Sequence, residues 1–193
     1  MSSLPHLLSE LTSGNDERAQ QAVRELKILG SKAIPHLVEL ASASETDARW
    51  WAICALAEID HPGVFPHLRH ALADPDASVR ECAAMGLRLH PNPVAIPDLI
   101  GAMKTPNLLL MRLAANALVA IGKEAVPALL DVMESAPQAA RVEATRALAE
   151  IKDTRCIPVF FSAIQNGDSP LVEYWADQGL EKLGVGMTFF NPG

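Results

Sequence analysis

Aromatic residues, cysteine and positive charge are all scarce in this sequence. Of its 193 residues only 5% are aromatic, whereas 49% are hydrophobic and 20% are charged. Sixteen lysines and arginines stand against 23 aspartates and glutamates, which gives a formal net charge of −7 at pH 7. Nucleic acids and anionic membranes are bound through clusters of Lys and Arg. The charge balance therefore predicts that neither is a partner.

The few cysteines exclude a disulfide-stabilised fold. Cys54, Cys82 and Cys156 are odd in number and far apart in the sequence, so they form neither a Cys-x-x-Cys motif nor a disulfide framework. Cys54 and Cys82 lie among small residues in helical patterns. We expect both thiols to be buried and unreactive.

Long apolar runs and catalytic motifs are also missing. No segment approaches the ~18 consecutive apolar residues of a membrane span. The first residues, MSSLPHLLSEL, lack the basic segment and apolar core of a signal peptide, so we expect a cytoplasmic protein. No glycine-rich phosphate loop, His-Glu-x-x-His motif or nucleophile elbow occurs. The sequence therefore predicts no catalytic residue and no cofactor.

An internal repeat is the dominant feature that the sequence does contain. Prolines recur every 30 or 31 residues, and each is followed two positions later by a bulky apolar residue. The pairs are Pro5/Leu7, Pro35/Leu37, Pro66/Leu68, Pro97/Leu99, Pro127/Leu129 and Pro158/Phe160. Because proline is tolerated in the first turn of a helix, these positions predict the start of the second helix in each repeat.

A second ladder, alanine followed four residues later by leucine, marks the first helix of each repeat. It consists of Ala22/Leu26, Ala52/Leu56, Ala83/Leu87, Ala114/Leu118, Ala144/Leu148 and Ala176/Leu180. The small residue permits close helix packing, and the leucine one turn later fills the seam between repeats.

The two ladders together predict an all-α fold, an α/α right-handed superhelix of about six units of ~31 residues with a half-repeat at each end. We expect one domain over residues 1–193. The apolar segment at residues 184–193, with Val185, Met187, Phe189 and Phe190, is predicted to cap the end of the stack.

The clearest repeat carries a family resemblance. Its pattern is Asp76, Val79, Arg80, Ala83 and Leu87, followed by Pro97 and Leu99. This pattern resembles the short HEAT-like repeats of the phycobilisome-lyase type, over about residues 4 to 184. Arg49 and Arg141 hold the same place as Arg80, whereas Arg18 and Arg112 are one position off. The family includes enzymes, chaperone-like factors and adaptors, so the resemblance implies an architecture more than a function.

In HEAT-like stacks the second helices line a concave groove, which directs attention to the polar residues after each proline. The candidate partner-binding residues of this groove are His6, His36, Glu39, His67, His70, Asp98 and Asp131. Among them, His36, His67 and His70 are weak candidates for a metal site. Neighbouring repeats are ~8–10 Å apart, whereas zinc ligands lie ~2 Å from the ion, so we predict solvated groove residues and no metal.

Aromatic residues offer an alternative surface. Trp51 and Trp175 hold equivalent places just before the core alanine, with Trp50 and Tyr174 beside them. Trp50 and Trp51 are candidate partner-binding residues, because large exposed aromatic side chains often mark binding sites. Partial packing between first helices is the simpler interpretation.

These observations favour a non-catalytic scaffold that binds a protein partner, most simply through the concave groove. The resemblance implies an alternative, a phycobilin lyase-like factor that binds a bilin chromophore and transfers it to a client. A nucleic-acid-binding HEAT module is a second alternative, which the acidic charge disfavours. Deoxyhypusine hydroxylase, an enzyme of this repeat class, holds two irons with His-Glu dipeptides, and none occurs here.

Overall fold

The computed structural model describes residues 2–185, and in this range the chain forms twelve α-helices and no β-strand. The helices are α1 Leu4–Leu11, α2 Asp16–Leu29, α3 Ile34–Leu40, α4 Thr46–Glu58, α5 Phe65–Ala71, α6 Ala77–Leu89, α7 Ile96–Met103, α8 Leu108–Ile121, α9 Val126–Ser135, α10 Gln138–Ile151, α11 Ile157–Gln165 and α12 Pro170–Lys182. The all-α repeat class predicted from the two ladders is confirmed.

The described residues fold as two compact units that divide between Asn92 and Pro93. The first unit contains α1 to α6, and the second contains α7 to α12. The assignment of one domain to residues 1–193 stays a prediction.

In the first unit, the first helices of successive repeats pack side by side, α2 on α4 and α4 on α6. Each second helix packs on the first helix that follows it in the chain, so α1 lies on α2, α3 on α4 and α5 on α6. A 3₁₀ turn at Gly30–Lys32 reverses the chain between α2 and α3. Gly30 has a φ of 61°, a region that favours glycine.

The second unit repeats this arrangement. Its first helices pack as α8 on α10 and α10 on α12, while α7, α9 and α11 pack on α8, α10 and α12 respectively. A 3₁₀ turn at Lys123–Ala125 joins α8 to α9, and another at Thr154–Cys156 joins α10 to α11.

Both sequence ladders form the core. Every alanine and leucine of the first-helix ladder is at most 1% exposed. The bulky residues two positions after the prolines are at most 3% exposed, and the six prolines themselves lie in the first two helical positions. The periodicity therefore identified the buried face of both helices in each repeat.

The arginines at the shared repeat position bind the loops that begin each repeat. Arg80 donates through Nη1 to the backbone oxygens of Asp74 and Pro75, at 2.6 and 2.8 Å. Arg141 donates through Nη2 to a carboxylate oxygen of Asp168 at 2.6 Å. These bonds satisfy acceptors that the loops leave open and fix the start of the first helix.

The predicted cap at residues 184–193 lies almost entirely outside the described residues and stays a prediction. Within residues 2–185 no single helix is long and apolar enough to cross a membrane. α8 and the segment Lys123–Ser135 reach the required length only together, and they are bent by 118° at the break between them.

Candidate functional site

The polar residues predicted on the second helices are solvent-accessible in both units. In the first unit His6, His36, Glu39 and His70 are exposed and His67 is half-buried, and in the second unit Asp98 is half-buried and Asp131 is exposed. His6 has a nearby acidic group, since its Nδ1 lies 3.8 Å from Oε1 of Glu10. Binding of a partner by these residues stays a prediction.

The structure does not gather the weak metal candidates His36, His67 and His70 into one group of ligands. In the part of the chain that the structure describes, no group of three or more His, Cys, Asp or Glu side chains is placed to hold a metal ion. The spacing of one repeat keeps His36 and His67 on different helices, α3 and α5.

The aromatic residues form two equivalent pairs, one in each unit. The rings of Trp50 and Trp51 pack edge to face with centroids 4.7 Å apart and an interplanar angle of 79°. Tyr174 and Trp175 pack in the same way at 5.1 Å and 72°. Trp50 and Trp51 are both half-buried, so part of each indole is available to a ligand.

Trp51 lines a groove between α2 and α4 with a volume of about 370 Å³. Its walls are Gln20, Val23, Arg24, Lys27, Trp51, Cys54 and Glu58. Across the groove, Nζ of Lys27 pairs with Oε2 of Glu58 at 2.9 Å. Each wall carries a charged side chain, Lys27 on α2 and Glu58 on α4, and the half-buried Cys54 also lines the groove.

A larger groove lies in the second unit, across the amino-terminal ends of α8, α10 and α12. Its volume is about 590 Å³, within the range typical of small-molecule sites. It is lined by Leu108, Leu109, Met111, Arg112, Gln138, Ala139, Val142, Glu143 and Leu171. Leu108, Leu109 and Leu171 are 69%, 54% and 59% exposed, so three large apolar side chains lie together at the surface of an acidic protein.

A buried charge network lies at one side of this second-unit groove. Glu143 is only 7% exposed. Its Oε1 accepts hydrogen bonds from Nε and Nη2 of Arg112 at 3.1 and 2.9 Å, and its Oε2 accepts one from Nε of Arg146 at 2.8 Å. Arg146 also binds Glu150 and Asn116. Burial lowers the pKa of Arg146, but bonds to Glu143 and Glu150 outweigh it and raise the pKa.

The groove therefore combines exposed leucines with one carboxylate shared by two guanidinium groups. The Arg112 side chain is 62% exposed, so its remaining donors face solvent at the groove. Such an arrangement suits a ligand that is largely apolar and carries an acidic group.

Periodicity did not identify this groove as a site. One signal was present: Leu108–Met111 is a run of four apolar residues, and only Leu110 and Met111 are buried. A second signal was the position of Arg112, which is one residue away from the place that Arg80 holds in its repeat. The guanidinium of Arg112 binds Glu143 on α10 and not a loop.

Comparison with curated proteins finds relatives named for bilin attachment. The chain is 42% identical over 85 residues to the phycocyanobilin lyase subunit beta of Pseudanabaena tenuis, covering 44% of this chain and 30% of that protein. It is 36% identical over 114 residues to the protein of the same name from Nostoc sp., covering 58% of this chain and 56% of that protein. The chain thus spans about half or less of the length of these relatives.

Among solved structures, one similar fold is the complex of CpcE and CpcF of phycocyanin lyase from Nostoc sp.. The TM-score is 0.63 at 24% sequence identity, and the match covers 75% of this chain and 96% of that chain. At this identity the likeness supports the α/α helical-repeat fold alone.

The relatives contradict the prediction that the chain is a non-catalytic scaffold whose task is protein interaction. Their names favour the alternative, a lyase-like factor for bilins. The error has a physical reason. Repeat periodicity shows which residues are buried between helices, but it carries no information about a ligand site on the surface. The scaffold function was therefore inferred only from the lack of a catalytic motif.

Two family models match segments of the sequence. A model of HEAT repeats matches residues 4–88 and 67–141, which together exceed half of the chain. A model of the PBS lyase HEAT-like repeat matches residues 140–160. The chain therefore belongs to the HEAT-repeat family, with a repeat of the PBS lyase HEAT-like type at residues 140–160.

Proposed function

We propose that this chain is a bilin-handling subunit of the phycobilin lyase type, which holds an open-chain tetrapyrrole for transfer to a client protein. Support comes from the curated relatives, which are named as phycocyanobilin lyase subunits at 42% and 36% identity. The relatives are longer than the matched region, so the complete lyase activity belongs to the proposal.

The second-unit groove is the proposed bilin site. The observation that carries this assignment is the match of the PBS lyase HEAT-like repeat to residues 140–160. That stretch contains most of α10, which supplies Val142 and Glu143 to the groove. The repeat with the lyase-type signature thus supplies part of the wall of this apolar groove.

The chemistry of the groove matches that of the ligand. An open-chain tetrapyrrole has an extended apolar ring system, propionate carboxylates and pyrrole N–H groups. Leu108, Leu109 and Leu171 would cover the rings, since burying apolar surface is the main source of affinity for such a ligand. Arg112 would pair with a propionate through the donors that it does not give to Glu143.

Glu143 has a positioning role in this proposal. Its carboxylate is held by Arg112 and Arg146, so it presents a fixed negative charge beside the groove. A carboxylate accepts hydrogen bonds from N–H donors, and the pyrrole nitrogens of the ligand are such donors. Because the charge is already paired, burying a ligand over Glu143 leaves no isolated charge.

We also propose that the chain acts with a protein partner and resides in the cytoplasm. The relatives are named as beta subunits, and the similar solved structure is a complex of two proteins, which supports a partner of related fold. The cytoplasmic location is supported by the sequence, whose three cysteines form neither a Cys-x-x-Cys motif nor a disulfide framework.

Visible absorption tests the proposal directly. Adding phycocyanobilin to the purified chain should shift and sharpen the long-wavelength bilin band, because a held tetrapyrrole loses conformational freedom. Leu109→Glu should abolish the shift by placing a charge in the apolar groove. Ile28→Glu is the matched control: Ile28 is 73% exposed on α2 and is not among the residues that line this groove.

Two outcomes would contradict the proposal. An unchanged bilin spectrum with the wild-type chain, alone and with a related partner subunit present, removes the bilin function. An equal shift in wild type and Leu109→Glu keeps the function but removes the second-unit groove as its site.

A further inference from the structure

Two of the cysteines that are distant in sequence meet in the first unit. Cys54 on α4 and Cys82 on α6 have their sulfur atoms 2.7 Å apart. A disulfide bond is 2.03–2.05 Å long, so the sulfurs are within about 0.7 Å of bonding distance. Of the two thiols expected to be buried, Cys82 is buried and Cys54 is half-buried.

The contact follows from the close packing of α4 on α6. Gly86 on α6 lies against Ala57 on α4, and a Cβ atom added at Gly86 would come within 3.0 Å of the Ala57 methyl carbon. One turn further, Nε2 of His90 is 2.8 Å from the backbone oxygen of Ala57. These contacts hold the two helices in the register that places Cys54 opposite Cys82.

Access to the pair is one-sided. Cys82 is 7% exposed, whereas Cys54 is half-buried and lines the groove of about 370 Å³ between α2 and α4. Trp51 and Lys27 line the same groove. Cys54 lines this groove and Cys82 does not, so an oxidant that enters there meets Cys54 first.

We propose that Cys54 and Cys82 form a reversible intramolecular disulfide that links α4 to α6, with a low-molecular-weight disulfide such as oxidised glutathione as the oxidant. Cys54 attacks one sulfur of the oxidant, gives up its proton to solvent and releases one glutathione. Cys82 likewise loses its proton to solvent, and its sulfur attacks Sγ of Cys54 and releases the second glutathione. Both glutathiones leave as thiolates and take up a proton from solvent. Two protein thiols lose two electrons in total, and one glutathione disulfide is reduced to two thiols.

The surroundings of Cys54 make this exchange slow at neutral pH. The Cys82 thiol, burial and the Glu58 carboxylate all raise the pKa of the Cys54 thiol. Arg24 and Lys27 face it from α2, but Lys27 is paired with Glu58. Because the thiolate is the attacking species, the rate of oxidation should increase as pH rises.

Cys156 provides an internal control. It is fully buried in the second unit, and burial raises the pKa of its thiol to about 11. The products expected from two variants distinguish the Cys54–Cys82 pair from Cys156. In Cys82→Ala the reaction should stop at a mixed disulfide on Cys54, whereas Cys156→Ala should react like the wild type.

The test treats the folded full chain with oxidised glutathione and measures intact mass, free thiols and disulfide-linked peptides. We expect the loss of two hydrogens, one remaining free thiol of the three, and a linked peptide pair containing Cys54 and Cys82. The rate should be on the order of a hundredfold higher at pH 9 than at pH 7, because the thiolate fraction of a thiol with a raised pKa grows tenfold per pH unit. Dithiothreitol should restore all three thiols.

The proposal is overturned if all three thiols stay free under conditions that oxidise the urea-unfolded chain. It is also overturned if wild-type Cys54 accumulates a glutathione adduct that Cys82 never resolves. Peptide mapping of the wild-type protein decides the question even if a cysteine variant fails to fold. The result does not depend on bilin binding.

Discussion

Arg49 on α4 holds Asp74 through two parallel hydrogen bonds, Nε to Oδ2 at 2.8 Å and Nη2 to Oδ1 at 3.0 Å. Asp74 lies in the loop between α5 and α6, where its Oδ1 also accepts the backbone N–H of Asp76 at 2.8 Å. The two side chains are 12% and 10% exposed. Arg49 in one repeat thus fixes the loop that begins the next repeat, through a bidentate ion pair that is largely shielded from solvent.

This pair predicts a pH dependence of stability. The hydrogen bond from Arg49 lowers the pKa of Asp74 below its usual value. A carboxyl whose pKa is lowered by folding stabilises the native state above its unfolded pKa of about 3.9, and the contribution is lost as pH falls through the folded pKa. Asp74→Asn should therefore lower the urea midpoint at pH 7, and the difference from wild type should shrink as pH falls below about 4.

Asp47→Asn is the matched control for this experiment. Asp47 is an exposed aspartate in the first turn of α4, the helix that carries Arg49. Its substitution should leave the midpoint nearly unchanged. A difference between Asp74→Asn and wild type that is the same at pH 3 and pH 7 would show that the ion pair is not its cause.

Ala83 tests the first-helix ladder. It is fully buried on α6, where α4 and α6 approach closely. Ala83→Leu should lower the free energy of unfolding by about 1–3 kcal/mol, because overpacking a close helix contact forces side chains and backbone to shift. Urea melts give the value. Met85→Leu, at a position that is 56% exposed on the same helix, should have little effect.

Two glycines in helices should respond in opposite directions to alanine. A Cβ atom added at Gly179 on α12 would lie closer than 3.0 Å to three carbon atoms of the Phe160 ring, which is fully buried. Gly179→Ala should destabilise the fold by roughly 1–3 kcal/mol. At Gly101 on α7 an added Cβ meets nothing within 4 Å. Gly101→Ala should stabilise by about 0.5–1 kcal/mol. Thermal or urea melts that rank the two variants in the reverse order would exclude the close contact at Gly179.

Arg112 tests the charge part of the proposed bilin site. A hydrogen bond to a charged group contributes about 1.5–3 kcal/mol, so Arg112→Leu should weaken bilin binding about tenfold or more. Arg112→Lys should keep part of the affinity, since it keeps the charge but loses the bidentate geometry. Arg88→Leu, on an exposed position of α6, is the control. Absorbance titrations provide the dissociation constants, and equal values for Arg112→Leu and Arg88→Leu would remove Arg112 from the site.

The repeat architecture was determined by the sequence alone. Proline begins each second helix because of local backbone sterics. The spacing of Ala83 and Leu87 follows from the 3.6-residue period of the helix. Both causes act within a single repeat. The same local rules identified the buried face of every helix. They also showed that Arg49 and Arg141 hold equivalent positions in their repeats.

The candidate sites were decided by the tertiary structure. Leu108 and Leu109 are exposed at the start of α8 in the part of the chain that the structure describes, and periodicity carries no information about which helix ends meet there. Cys54 and Cys82 are 28 residues apart in the chain and 2.7 Å apart in space. Their distance depends on how closely α4 approaches α6, which Gly86 permits. Such contacts join different repeats, so they become visible only when the helices are packed.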